Sequence, residues 1–115
     1  HDVLAAGVHY LPSDPPSDVA WKLLAVNLSD LAAMAATPAG VLLGLGLSGA
    51  EDEAWRDAFI AGLARALAHF GVELWGGDTV SGLGQAVLGL TAIGWVQPGR
   101  ALGRMGAQPG DALWV

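Results

Sequence analysis

Prolines frame one segment of this chain: Pro15 and Pro16 stand before it, and Pro38 stands after it. Proline has no amide to donate and restricts the residue before it, so a regular element must fit between these points. Ser17 is suited to cap a helix, and Asp18 to its first turn. The spacing predicts a helix from Ser17 to about Ala36. Its second half, Val26-Asn27-Leu28-Ser29-Asp30-Leu31-Ala32-Ala33-Met34-Ala35-Ala36, is almost wholly apolar around one carboxylate. Burying Asp30 in such a run is costly unless something pairs with it. Lys22 is the only cation in the helix. Two readings follow: Asp30 meets a metal ion, or it faces solvent from one narrow polar edge.

The remaining chain alternates between strands and helices. Asp2–Tyr10 reads as a strand running into a turn, and Leu11–Ser17 as a loop. Ala39–Leu47 is an apolar run with Gly40, Gly44 and Gly46 at even positions, as in a buried, closely packed strand. Ser48 and Glu51 have capping-box spacing ahead of a second helix. Trp55, Phe59, Leu63, Leu67 and Phe70 share one face of that helix, and Gly71 suits the position that ends it. His69 complements the dipole there. Val72–Trp75 is a short expected strand that ends at Gly76-Gly77-Asp78-Thr79, with a looser Val80–Gly84 after it. Ala86–Val96 is a longer strand; turns at Gln97–Arg100 and Gly110-Asp111 lead to a last strand at Ala112–Val115. This order predicts a two-layer α+β (or α/β) domain with both helices packed on one sheet.

Only 14% of the 115 residues are charged, whereas 53% are hydrophobic. So little charge implies that a partner subunit or a neighbouring domain covers part of the surface. A net charge of −6 without a basic run argues against nucleic-acid binding. No apolar run approaches the roughly 18 residues of a membrane span, and His1-Asp2-Val3-Leu4 has no basic n-region of a signal peptide. The absence of cysteine excludes disulfides and thiolate metal sites, and fits a reducing cytosol. Both ends read as cut from something larger.

Chemistry-bearing residues are few. Two glycines before Asp78 let a backbone approach a ligand, with amides toward phosphate and the carboxylate toward a cation. The same four residues also suit a plain turn. Mg²⁺ commonly takes one or two carboxylates together with nucleotide phosphates. Asp2, Asp30 and Asp78 lie on elements that could converge on one end of a sheet. His9 could meet a phosphate or move a proton, or be an ordinary surface residue. Arg100 and Arg104 follow a Pro-Gly turn and could hold phosphate or remain solvated. Gly-x-Ser-x-Gly and the P-loop pattern are both absent; the single lysine is Lys22.

Four segments in order carry a resemblance: Asp2–Tyr10, Lys22–Met34, Gly76–Thr79, and Pro98–Arg104 with Gly106–Asp111. Together they resemble thiamine-monophosphate kinase, within the aminoimidazole ribonucleotide synthetase superfamily. The resemblance implies an N-terminal ATP-binding and dimerisation domain covering 1–115. It implies a mixed or antiparallel sheet of about four strands that pairs across a homodimer. It also implies a cytoplasmic enzyme that moves the γ-phosphoryl group of ATP to thiamine monophosphate with Mg²⁺. Asp2, Asp30 and Asp78 resemble the family's metal ligands, His9 its substrate contact, and Gly77, Asp78 and Arg104 its nucleotide contacts. Ala6 stands where an acidic residue is usual, Ala35 where glycine is usual, and Ile60 near a common aromatic position. An upstream acidic segment and a C-terminal domain are missing, so the fragment alone is expected to be inactive. The alternatives are another acceptor within the superfamily, or a non-catalytic dimerisation module.

Overall fold

A computed structural model describes residues 1–113. Its elements are β1 (Asp2–Ala5), α1 (Pro16–Ala33), β2 (Thr37–Leu47), α2 (Glu53–Phe70), β3 (Glu73–Ser81) and β4 (Val87–Trp95). The four strands form one sheet in the order β1-β4-β2-β3. β4 pairs antiparallel with both β1 and β2, and β2 pairs parallel with β3, so the sheet is mixed. The parallel pair requires a long crossover, and α2 provides it.

α1 has Pro15 at its N-cap and Pro16 in its first turn, where a missing amide costs nothing. Ser17 is therefore inside the helix and does not cap it. Val19, Ala20, Leu23, Leu24, Asn27 and Leu28 are buried, and their alternating spacing of one and three residues makes a single stripe. That stripe lies on β4, β1 and β2. The helix ends at Ala33, three residues short of expectation, because Met34–Ala36 fold back and Ala35 adopts φ 58°.

β2 begins at Thr37 and accommodates Pro38 where its ladder with β4 shifts register, as a bulge allows. α2 is capped by Asp52, whose Oδ1 accepts the Trp55 amide at 2.8 Å. Only one half of the expected box forms across Ser48 and Glu51, and it precedes the helix. Glu51 closes the preceding turn by accepting the Ser48 amide at 2.8 Å. Gly71 ends α2 at φ 64°. α2 packs along α1 so closely that a Cβ on Gly62 would stand 2.4 Å from Ser17 Cα. Trp55 and Phe59 stack with centroids 5.2 Å apart, and Trp21, His69 and Phe70 form a second aromatic cluster.

β3 is longer than the sequence suggests. Gly76-Gly77-Asp78-Thr79 is not a turn at its end but part of the strand, held by a parallel ladder to β2. Ala112 and Leu113 have no regular structure, and Trp114 and Val115 of the last expected strand lie outside the described residues. The core is formed by Leu23, Leu24, Val41, Phe59, Leu88 and Leu90. The opposite face of the sheet keeps Val3, Leu42, Ile93 and Trp95 exposed.

Candidate functional site

Asn27 is the joint between α1 and β1. It is 1% exposed, its Oδ1 accepts the Asp2 amide at 3.0 Å, and its Nδ2 donates to the Leu23 carbonyl at 2.8 Å. Asp30 lies one turn further along α1, so the helix carries it to the start of β1, where Asp2 is half-buried. Asp30 itself is exposed. The apolar run around it therefore does not bury it, and the desolvation reason for expecting a cation disappears. Asn27, three residues before Asp30, serves the Asp2 backbone.

His9 sits on a tightly closed loop after β1. Its amide donates to the Ala5 carbonyl at 2.9 Å, and its Nδ1 accepts the Ala5 amide at 3.0 Å. An amide can only donate, so the neutral ring carries its proton on Nε2. The Lys22 ammonium donates to the His9 carbonyl, the Gly7 amide to the Tyr10 carbonyl at 2.8 Å, and the Gln85 side chain to the Ala6 carbonyl. The His9 side chain is exposed, with Nε2 as its remaining polar atom.

Asp78 and Gly77 are on the opposite edge of the sheet. The register runs Asp2–Leu90–Leu43–Gly77 across three strand intervals, which at about 4.8 Å each separates the outer strands by roughly 14 Å. Asp78 is exposed and its Oδ1 accepts the Thr79 amide at 2.8 Å. A Cβ on Gly77 would fall 2.0 Å from the Leu43 carbonyl oxygen, so glycine is required there by close backbone approach. One chain thus places Asp2 and Asp78 on opposite edge strands of the sheet. Among the described residues, no three His, Asp or Glu side chains group closely enough to hold a metal ion. Asp78 lines a hollow of about 300 Å³ on the exposed sheet face with Val3, Gly44, Val80 and Gly89.

Arg104 is exposed in a tail without regular structure that follows β4. The Leu102 amide ties this tail to the Met34 carbonyl at 3.2 Å. A hollow of about 740 Å³ lies here between Thr37, Trp95, Arg100 and Leu102. Arg100 lines it, whereas Asp2, His9, Asp30, Gly77, Asp78 and Arg104 do not.

A polar pair lies behind the His9 loop. Burial pushes the Glu51 carboxyl up, but donors from Ser48 and Gly49 outweigh it and hold the carboxyl below its ordinary value. Burial, then the Glu51 charge, pushes the Tyr10 hydroxyl up. Tyr10 is 6% exposed, and its hydroxyl has no hydrogen-bond partner. Lys22 and this pair were not singled out as site-forming from sequence; the only available signal was that Lys22 is the single lysine.

The family model for AIR synthase related protein, N-terminal domain, matches residues 1–96, the span that ends with the sheet. The chain belongs to this AIR synthase related family. Thiamine-monophosphate kinase of Escherichia coli strain K12 is 49% identical over 99% of this chain and 34% of its own length. That of Caulobacter vibrioides is 46% identical over 99% of this chain and 32% of its own. The chain thus spans about a third of the curated relatives it matches. The thiamine monophosphate kinase structure from Aquifex aeolicus superposes with TM-score 0.85 at 32% identity, covering 93% of this chain and 35% of that one. AaThiL complexed with AMPPCP and TMP gives TM-score 0.86 at 32% identity, covering 93% and 34%. The mixed four-stranded sheet with two helices is the AIR synthase related N-terminal fold. Among the described residues, no helix is long and apolar enough to cross a membrane.

Proposed function

We propose that this chain is the N-terminal domain of a cytoplasmic thiamine-monophosphate kinase, which transfers the γ-phosphoryl group of ATP to thiamine monophosphate. One observation carries the reading: α1 fastens to β1 through Asn27 and to the His9 loop through Lys22. Carboxylates and imidazole are thereby held along one helix. Lys22 and Asp30 are eight residues apart, about 12 Å along a helix, which gives a chain of phosphates room between His9 and the carboxylates. Phosphoryl transfer depends mostly on such positioning and on charge neutralisation. A phosphate oxygen is already a nucleophile, so no general base is needed.

The donor set suits Mg²⁺, a hard cation that takes one or two carboxylates with phosphates and water. Asp2 and Asp30 are the pair that one chain offers. When bound, the ion would neutralise charge on the transferring group. Asp78 joins, in this reading, from a second copy. The exposed Leu42, Trp75, Val80 and Ile93, with Trp95 at 70% exposure, give the sheet an apolar outer face, and Asp78 lines its hollow. Such a face suits a homodimer. Gly77 and Arg104 are assigned to the nucleotide, Arg104 from the segment that leads into the rest of the enzyme.

The test uses the full-length protein with ATP, Mg²⁺ and thiamine monophosphate, following thiamine diphosphate by chromatography. No diphosphate at any Mg²⁺ concentration would refute the assignment. Sedimentation of the wild type and of Leu42→Lys tests the dimer; a wild-type monomer at micromolar concentration would remove the second-copy role of Asp78.

A further inference from the structure

Lys22 is the single lysine of the chain and has no carboxylate within ion-pair distance among the described residues. Its ammonium donates to the backbone carbonyl of His9. The other backbone and ring atoms of His9 that can bond locally are already tied: the amide to Ala5 O and Nδ1 to Ala5 N. Lys22 supplies the third tie and the only one that reaches outside the loop to a helix. Other long-range ties on the loop lie at Ala6, whose carbonyl accepts from the Gln85 side chain and whose amide donates to the Ala86 carbonyl at 3.0 Å, and at Tyr10, which is buried in the core.

We propose that Lys22 is a positioning residue for the phosphate acceptor: it fixes His9 relative to α1 so that the Nε2 proton faces a phosphate monoester. This rests on the reading of His9 as an acceptor contact. Three fixed atoms leave the imidazole little freedom except rotation of a ring whose Nδ1 is already held. Without the ammonium, the loop keeps its internal bonds, its ties at Ala6 and the buried Tyr10, but His9 loses its own hydrogen bond to α1. His9 then samples positions away from the site, and acceptor binding weakens while the nucleotide side is unaffected.

Steady-state kinetics of the full-length enzyme with His9→Ala, Lys22→Met, the double variant and Lys22→Arg test this. Lys22→Met should raise the acceptor KM about tenfold, one hydrogen bond to a charged donor, with the ATP KM unchanged. Lys22→Arg should recover most of the loss. The double variant should be no worse than His9→Ala, because Lys22 acts through His9. Histidine ring ¹⁵N spectra of Lys22→Met should show the His9 signals broadened. A Lys22→Met enzyme with normal acceptor KM overturns the proposal. So does a double variant that shows the two losses in full, since Lys22 would then contact the substrate directly. If His9→Ala alone leaves the acceptor KM unchanged, the acceptor role of His9 fails, and the positioning role with it. A Lys22→Met effect on KM beside a silent His9→Ala would place Lys22, not His9, at the acceptor.

Discussion

Replacing Asn27 by alanine should cost about 2–4 kcal/mol of folding free energy. The side chain is 1% exposed and makes two hydrogen bonds, one to the Asp2 amide and one to the Leu23 carbonyl. Each such bond contributes a net ~0.5–1.5 kcal/mol, and a donor left buried and unpaired costs about 1–3 kcal/mol. The Leu23 carbonyl retains its helical bond, so most of the loss falls on the Asp2 amide. The cavity left under β1 adds to this. Urea unfolding at constant m reads the change directly. A loss below about 1 kcal/mol would mean that Asn27 does not join α1 to β1. Asn27→Asp separates the two bonds. It keeps an acceptor for Asp2 but places a carboxylate oxygen against the Leu23 carbonyl, where burial favours the protonated form. The folded-state value of that introduced carboxyl then lies above its unfolded value near 3.9. Stability close to wild type is expected below that pH, lost as pH rises through the folded value. A gap from wild type that does not change between about pH 4 and pH 8 would refute this account.

Tyr10→Phe removes a buried hydroxyl that has no partner. It should be neutral or stabilising by up to ~1 kcal/mol; a clear fall in the urea midpoint would show that the hydroxyl is satisfied. Glu51 is held below its ordinary value by the Ser48 and Gly49 donors acting against burial. Its contribution is therefore present above the unfolded carboxyl range and lost as pH falls through the folded value. Glu51→Gln should flatten that acid limb, which urea midpoints between about pH 3 and pH 7 will show. Gly62→Ala sets helix propensity, a gain of about 1 kcal/mol, against backbone overlap with Ser17. Overpacking of ~1–3 kcal/mol should win because neither backbone can yield, and a higher melting temperature for the variant would contradict this.

Sequence alone determined the helices and the fold class. Pro15, Pro16 and Pro38 bound α1, and the apolar stripe through Leu23, Leu24 and Leu28 needs no tertiary information to be placed. Phe59 and Leu63 with Gly71 do the same for α2. These signals are local, because helical hydrogen bonds close within four residues. Segment order then predicted an α+β domain. The alternation between strands and helices also pointed to two layers. Ends of elements were less legible: Ser17 and Ser48 are good capping residue types, but Pro15 and Asp52 occupy those positions.

What only the tertiary structure decided was the fate of polar groups. Asp30 looked buried from its neighbours, yet the stripe of α1 turns it outward. Gly76–Thr79 looked like a turn, yet the ladder to β2 makes it strand, because parallel pairing is fixed by a partner some 35 residues away. Asp2 and Asp78 seemed able to converge, but strand order places them on opposite edges of the sheet. Strand order depends on which strands pair, and a linear pattern of apolar residues does not carry that information. The same holds for Asn27 and Lys22. Their targets are the backbone atoms of Asp2 and His9, and backbone groups leave no mark in a sequence until the fold brings them within reach.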